Sequence, residues 1–483
     1  MDCSIYTKTK IIATIGPSSS SKKVLEDMIQ AGVNVCRINF SHGSYEDHAK
    51  VIENVRELNK KLGTHIAILA DVQGPKLRVG EMKDGSVELK AGKEIRITTE
   101  KCIGTAEQVY TNYEKFPDDV KVGDKVLLDD GKIMLEVLKT NKQNEVIAKI
   151  IQGGKLSSNK GMNLPNTKVS LPCLTEKDLK DLNFALEQNV EWIGLSFVRS
   201  ARDIIELKHI IANNHKKCRV IAKIEKPEAI KNIDAIIKET DGIMVARGDL
   251  GVELPLETVP ARQKQLTRAA RRAGKPVVVA TQMLESMIVE PVPTRAEVSD
   301  VATAVYEGAD AIMLSAESAA GAWPEKAVAT MDKIAQSAEC DSFYRGIMNA
   351  QRNDPQPTSA DAISTAARSI SETLAVAAIV SYTESGSTAM RVARERPNVP
   401  IITLTPIPAT ARRLALAWGQ HCVLTPNAND LEHMIDTACQ FASSEGFAEE
   451  GQRIIITVGM PLSAPGATNR LRIAEVGKKK ATN

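Results

Sequence analysis

Aromatic side chains are scarce: Phe, Trp and Tyr together make up 4% of the 483 residues. That scarcity argues against a surface built to stack nucleic-acid bases. No apolar run approaches the roughly 18 residues of a membrane span. The opening MDCSIYTKTKIIATIG carries no basic stretch followed by a long apolar one, so neither secretion nor insertion is indicated. The expectation is a cytoplasmic protein with no nucleic-acid or membrane partner. CxxC pairs and Cys/His zinc spacings are absent too. The eight cysteines, Cys3, Cys36, Cys102, Cys173, Cys218, Cys340, Cys422 and Cys439, are scattered, as in a reducing compartment. Cys36 and Cys422 lie in apolar runs, where a reduced Cys behaves as a small buried hydrophobe. Net charge is also small: 62 Lys and Arg against 60 Asp and Glu leave +2. An anionic ligand must therefore be held locally, not by a global field. Neither a Walker A loop nor a GxGxxG fingerprint occurs.

What is present has the composition of an ordinary globular protein, 43% hydrophobic and 25% charged. Its length predicts about three domains. Eight short runs rich in Val, Ile and Ala alternate with amphipathic stretches: 10–15, 33–39, 65–72, 192–197, 219–224, 242–246, 276–281 and 311–314. Parallel strands buried on both faces read this way, and eight βα units predict a (β/α)8 TIM barrel within an α/β chain. Between the third and fourth runs lie alternating segments such as SVELKAGKEIRITT and KVLLDDGKIMLEVLKT. They predict an inserted small β-barrel lid, with a hairpin at Asp130-Gly131. After Ala350 the polar, Pro-containing QRNDPQPTSAD reads as a linker to a C-terminal α/β domain with strands AAIVSYT, PIITLT, HCVLT and RIIITVG. The expected divisions are 1–72 with 172–345, 73–171, and 346–483. The run 478–480, all Lys, reads as a solvated tail.

In such a barrel the chemistry sits at the carboxyl ends of the strands. Polar residues end nearly every run: Arg37, Asn39 and Ser41; Asp71; Lys223 and Glu225; Arg247 and Asp249; Thr281; Ser315 and Glu317. Lys223 and Glu225, two apart, project to one side of a strand. Glu225 and Asp249 could share one hard cation, because Mg²⁺ takes one or two carboxylates and leaves positions for water and phosphate. The competing reading is a simple ion pair of Lys223 with either acid. Flanking apolar residues make that burial costly unless a ligand or metal completes the site. Gly248 and Gly251 around Asp249, ahead of a helix, could turn backbone N–H groups toward an anion, although two glycines near a turn often mean only a turn.

Eight segments, RINFSHG, DVQGPKLRVG, NKGMNLP, AKIEKPEA, MVARGDLGVE, ATQMLESM, PTRAEVSDVA and LSAES, occur in an order that resembles the pyruvate kinases. The likeness runs from about Lys10 to the C-terminus. It implies a Mg²⁺-dependent (or Mn²⁺-dependent) transfer of the phosphoryl group of phosphoenolpyruvate to ADP, giving pyruvate and ATP, in a homotetramer. By the same resemblance Lys223 is the main catalytic lysine with Arg37 beside it, and Glu225 and Asp249 hold the metal. Arg37, Lys223, Gly248, Asp249 and Thr281 bind phosphoenolpyruvate, with Thr281 and a water chain a candidate route for enolate protonation. Asn39, Arg78 and Lys160 contact the nucleotide.

The family also binds a monovalent cation, usually K⁺, near residues matching Asn39, Ser41, Asp71 and Val72. The potassium-requiring members resemble DTKGPEIRT, where this chain reads DVQGPKLRV. Lys76 thus stands in place of a Glu, and its ammonium could supply the charge of a bound K⁺. The expectation is that K⁺ is not required; a solvated Lys beside a hinge is the plainer alternative. TESGSTA, after a strand and before a helix, has the geometry to hold a phosphate, and the family's phosphorylated effectors bind at that loop. Thr383, Ser385, Ser387 and Thr388 are its candidate residues; hydroxyl-rich turns are also often only N-caps. Two other functions compete: a Mg²⁺-dependent lyase or aldolase barrel acting on pyruvate-like substrates, and a catalytically silent phosphometabolite sensor.

Overall fold

The structure is a computed structural model, and it describes residues 6–165, 167–352, 354–426, 430–460 and 468–477. Cys3 and the 478–480 tail lie outside those residues.

Eight parallel strands close into a barrel: Lys10–Ile15, Val33–Asn39, Ala67–Val72, Trp192–Leu195, Arg219–Ile224, Gly242–Ala246, Val277–Ala280 and Ala311–Leu314. The first strand pairs with both the second and the eighth, which completes the ring. Each strand is short, branched and almost wholly buried, as two covered faces require. One apolar set faces the helices, and a second fills the lumen with Ile12, Val35, Leu69, Ile221, Met244 and Val278. Five of the eight runs read from sequence match the strands end for end; the third, fourth and seventh are trimmed by one or two residues.

The long insertion builds a six-stranded sheet and a two-stranded ribbon around their own apolar core. The predicted turn joins strands Lys125–Leu128 and Ile133–Thr140. Asp129, Asp130 and Gly131 take φ of 49°, 55° and 84°, left-handed values that Asp and Gly tolerate best. The C-terminal region forms a five-stranded sheet. Its four parallel strands, Val376–Tyr382, Ile401–Thr405, Gln420–Leu424 and Arg453–Gly459, are the predicted ones. A fifth, antiparallel edge strand, Thr468–Glu475, was not foreseen.

The C-terminal domain closes the base of the barrel. Leu416 belongs to the lumen cluster, and Trp192 Nε1 donates to the Arg413 carbonyl at 3.2 Å. The base is thereby covered and the opposite mouth, where the strands end, faces the inserted lid. A buried ion pair fixes the seam: Arg396 Nη1 lies 3.0 Å from Asp310 Oδ1, Nη2 donates to the Gly308 carbonyl at 2.9 Å, and the guanidinium stacks 4.7 Å from the Trp418 ring. Asp310 also accepts from the backbone N–H of Val277 at 3.0 Å.

Removing one partner of a buried pair strands the other charge. Asp310→Ala should therefore lose about 3–5 kcal/mol, read as an earlier first transition in urea unfolding; a loss under about 1 kcal/mol, the scale of an exposed pair, would contradict this account of the seam.

Candidate active site

Four charged side chains from three strand ends meet at the barrel mouth, joined by hydroxyls from two more. Arg37 Nε donates to Asp71 Oδ2 at 2.7 Å, and its Nη1 donates to Thr14 Oγ1 at 2.9 Å. Lys223 Nζ lies 3.1 Å from Asp71 Oδ1 and 3.0 Å from Glu225 Oε1, and donates to Ser196 Oγ at 2.7 Å. Asp71 and Glu225 are each 1% exposed. Two cations and two anions are thus held nearly out of water, where pairing is strong and an unpaired charge costly.

The charges are not evenly shared. Burial alone would raise the Asp71 carboxyl, but Lys223 and Arg37 outweigh it and hold the group below the ordinary carboxylate range. Burial would lower the Lys223 ammonium, but Asp71 and Glu225 outweigh it and raise it. Glu225 moves the other way. Burial pushes its carboxyl up, Lys223 pulls against this, and the nearby Asp249 adds to the rise. Oε2 accepts from the Phe197 N–H at 2.7 Å, and the buried Oε1 has only the Lys223 ammonium near it, at 3.0 Å, which Asp71 shares. Glu225 is thus the under-compensated carboxylate of the cluster.

Asp249 sits in the seven-residue helix Arg247–Glu253, which starts at the strand end itself, not after the glycines. Lys76 Nζ stands 4.0 Å from Asp249 Oδ1. Among the described residues no three His, Cys, Asp or Glu gather as a metal-holding group. The donor set on offer is Glu225 with Asp249, two carboxylates of which the buried one is answered by a single ammonium shared with Asp71. That suits a hard cation that keeps waters and shares a substrate's oxygens.

Thr281 has φ of 71° and Gln282 of 54°, left-handed conformations that non-Gly residues rarely adopt. Arg247 holds this turn: Nη2 donates to the Thr281 carbonyl at 2.6 Å while Nη1 pairs with Asp300 at 2.7 Å. The Thr281 hydroxyl accepts from the Gly248 N–H at 2.7 Å and donates to the Ala280 carbonyl at 2.6 Å. The Gly248 N–H is therefore engaged with Thr281 in this structure and not free for an anion.

Other predicted residues fall further out. Asn39 Oδ1 accepts from the Ser41 N–H at 3.2 Å, and Val72 gives its carbonyl to Ser196 Oγ at 2.7 Å. On the lid, Arg78 Nη1 donates to the Asn159 carbonyl at 2.9 Å and Lys160 Nζ pairs with Asp129 at 2.9 Å. Glu317 does not join the charged ring: its carboxylate accepts from the backbone N–H groups of Leu284 and Ser315, at 3.2 and 2.7 Å, so it shapes a loop. Ser196 and Thr14 are in the cluster but were not anticipated; a lone hydroxyl at the end of an apolar run gives no sequence signal.

In the C-terminal domain the TESGSTA loop opens the helix Ser387–Arg394 and borders a cavity of about 610 Å³ against the barrel base. Thr383, Ser385 and Ser387 line it with Lys217, Arg219 and Arg413. Thr388 also borders it, but its hydroxyl is bonded to Thr468 Oγ1 at 2.7 Å. Among the described residues no helix is long and apolar enough to cross a membrane.

Comparison with known proteins agrees at full length. A family model described as pyruvate kinase, barrel domain, matches residues 6–328, and one described as pyruvate kinase, alpha/beta domain, matches 361–474. The pyruvate kinase of Methylorubrum extorquens is 48% identical over 474 residues, 98% of each chain. That of Geobacillus stearothermophilus is 45% identical over 468 residues, 96% of this chain and 80% of its own. The crystal structure of a pyruvate kinase from Cryptosporidium parvum superposes with a TM-score of 0.91 at 36% identity, covering 97% of this chain and 96% of its own.

Proposed function

The chain belongs to the pyruvate kinase family and is an enzyme of that activity, moving a phosphoryl group from phosphoenolpyruvate to ADP in the last step of glycolysis; we propose that Lys223, Arg37 and Thr281 perform it at the barrel mouth. The observation that most supports this assignment is the buried Lys223 ammonium between Asp71 and Glu225 with Arg37 on the far side of Asp71. Phosphoryl transfer needs positioning and charge stabilisation more than covalent help. Two cations fixed before substrate arrives need little reorganisation when charge develops. The raised Lys223 keeps its proton, which disfavours a Schiff base and with it an aldolase chemistry.

Glu225 and Asp249 are the residues that would hold Mg²⁺ or Mn²⁺. Once bound, such an ion neutralises charge on the phosphoryl group in flight. Gly248, Asp249 and Thr281 bound the side of the site where the substrate carboxylate would lie. The Thr281 hydroxyl, already in a donor–acceptor chain, is the candidate to relay a proton to the enolate. Asn39, Arg78 and Lys160 are read as nucleotide contacts, the last two arriving with the lid. The same reading divides the chain into 1–72 with 172–345, the lid 73–171, and 346–483, and gives it a homotetramer and a cytoplasmic setting.

For the monovalent-cation position, Asn39, Ser41, Asp71 and Val72 form the pocket and Lys76 brings a fixed ammonium to the same mouth, 4.0 Å from Asp249. For regulation, a phosphorylated effector would sit in the interdomain cavity, its phosphate on Thr383, Ser385 and Ser387 with the cations opposite.

Pyruvate formation from phosphoenolpyruvate should require both ADP and a divalent cation, and Lys223→Met should lower kcat about 10²–10³-fold with little change in KM; a variant within threefold of the parent would remove Lys223 from the mechanism. Turnover in tetraalkylammonium buffer should change less than about twofold on adding K⁺, the behaviour expected if a fixed ammonium supplies the charge. Strong activation by K⁺ would refute that role for Lys76. Sugar monophosphates, fructose bisphosphate and AMP should be screened as activators; a Ser385→Ala/Ser387→Ala enzyme should lose the response to whichever acts, and an undiminished response would place the effector elsewhere.

A further inference from the structure

One carboxylate near the mouth has no part in the chemistry above. Glu253, at the last turn of the helix that carries Asp249, is 4% exposed. Its Oε1 takes two partners: Lys226 Nζ at 2.5 Å from the barrel and Asn163 Nδ2 at 2.8 Å from the lid. Its Oε2 is buried with no hydrogen-bond partner. Among the described residues, Asn163 to Glu253 is the one hydrogen bond joining a side chain of the lid sheets to a side chain of the barrel.

Both ends of this bond lead to the site. Lys226 directly follows Glu225 in the chain, and its ammonium lies 5.8 Å from the centre of the Phe197 ring, the residue whose N–H binds Glu225. Asn163 ends the lid segment that contains Lys160. That segment is laced to the stretch carrying Arg78: Val79 N–H donates to the Lys160 carbonyl and Met162 N–H to the Leu77 carbonyl, each at 2.9 Å, with Arg78 bridged to Gly161. The tip of the lid hairpin comes near the same helix, with Gly131 facing the Val252 side chain. The seat of the lid on Glu253 thus sets where Arg78 and Lys160 stand relative to the two carboxylates.

A buried Lys–Glu pair adds little stability over an apolar pair of the same size. Its use here lies in geometry: it aims one acceptor at the lid. We propose that Glu253, oriented by Lys226, and Asn163 form a latch of positioning residues that fixes the lid over the nucleotide side of the site. The latch rests on the reading of Arg78 and Lys160 as nucleotide contacts, and it leaves the phosphoenolpyruvate side, built entirely on the barrel, unaffected.

Steady-state kinetics with each substrate varied, alongside thermal melting, tests this. Asn163→Ala should raise KM for ADP about tenfold or more, the scale of a hydrogen bond to a charged group, with KM for phosphoenolpyruvate within twofold. Lys226→Met/Glu253→Met replaces the pair by apolar groups of similar length. It should melt at or above the parent temperature yet show the same rise in KM for ADP. Adding Asn163→Ala to that enzyme should change nothing further. Parallel rises in both KM values, an unmoved KM for ADP in either variant, or additive effects in the triple variant would overturn the latch. Failure of the underlying function looks different: the parent enzyme itself would form no pyruvate.

Discussion

The site depends on one electrostatic arrangement, a lysine ammonium placed between two buried carboxylates. Lys223 alone could not remain charged there, since burial disfavours the ammonium. Burial likewise disfavours the ionised form of Asp71. Each is kept charged by the other, with Arg37 completing the pairing of Asp71. Fixing this constellation requires strand ends that do not move, and a closed barrel supplies them. Its lumen is filled, its base is covered by Leu416, and its strands have no free edge. The fold is therefore the means by which two cations can be stored, charged and oriented, before a substrate is present.

From this follows the unequal treatment of the carboxylates. Asp71 is matched by two cations and is electrostatically complete. Glu225 is matched by part of one and is repelled by Asp249. Glu225 therefore helps keep Lys223 charged while its own carboxylate retains capacity for a further positive charge. The same logic separates Asp249, one-third exposed and facing Lys76, from Glu253, four residues along the same helix and sealed by Lys226. One short helix thus presents an acid to the site and an acid to the lid.

Much of this was legible in the sequence because the barrel strands write themselves plainly: branched apolar runs broken by a charged residue at one end. Arg37, Asp71, Lys223 and Glu225 follow from that punctuation. Glu317 satisfies the same pattern but turns its carboxylate to two backbone N–H groups, and no spacing rule separates an acid that caps a loop from one that faces a cavity. Ser196 is the reverse case, a residue with no pattern that lies at the centre because a tertiary contact brings Lys223 to it. The strand Thr468–Glu475 escaped notice because it lies at a sheet edge and is mostly exposed, so it lacks the apolar run that announces its neighbours. The engagement of Gly248 N–H by Thr281 depends on a left-handed turn at a β-branched residue, which local propensity argues against.

The charges divide between two bodies in a way that suits their tasks. Arg37, Asp71, Lys223 and Glu225 on the barrel are nearly buried and paired, whereas Lys160 on the lid is 41% exposed and Lys132, which shares Asp129 with it, is 71% exposed. Exposed pairs are weak and screened by salt, so Lys160 can leave Asp129 for another anion at small cost. A buried lysine could not make that exchange without a large desolvation penalty. Under the proposed assignment, rigid charges would serve the bond-making side of the site and exchangeable ones the nucleotide side. Because the lid's charges are individually weak, the proposed latch would act through the seating of the lid, the Asn163–Glu253 contact, and not through the strength of any one lid cation.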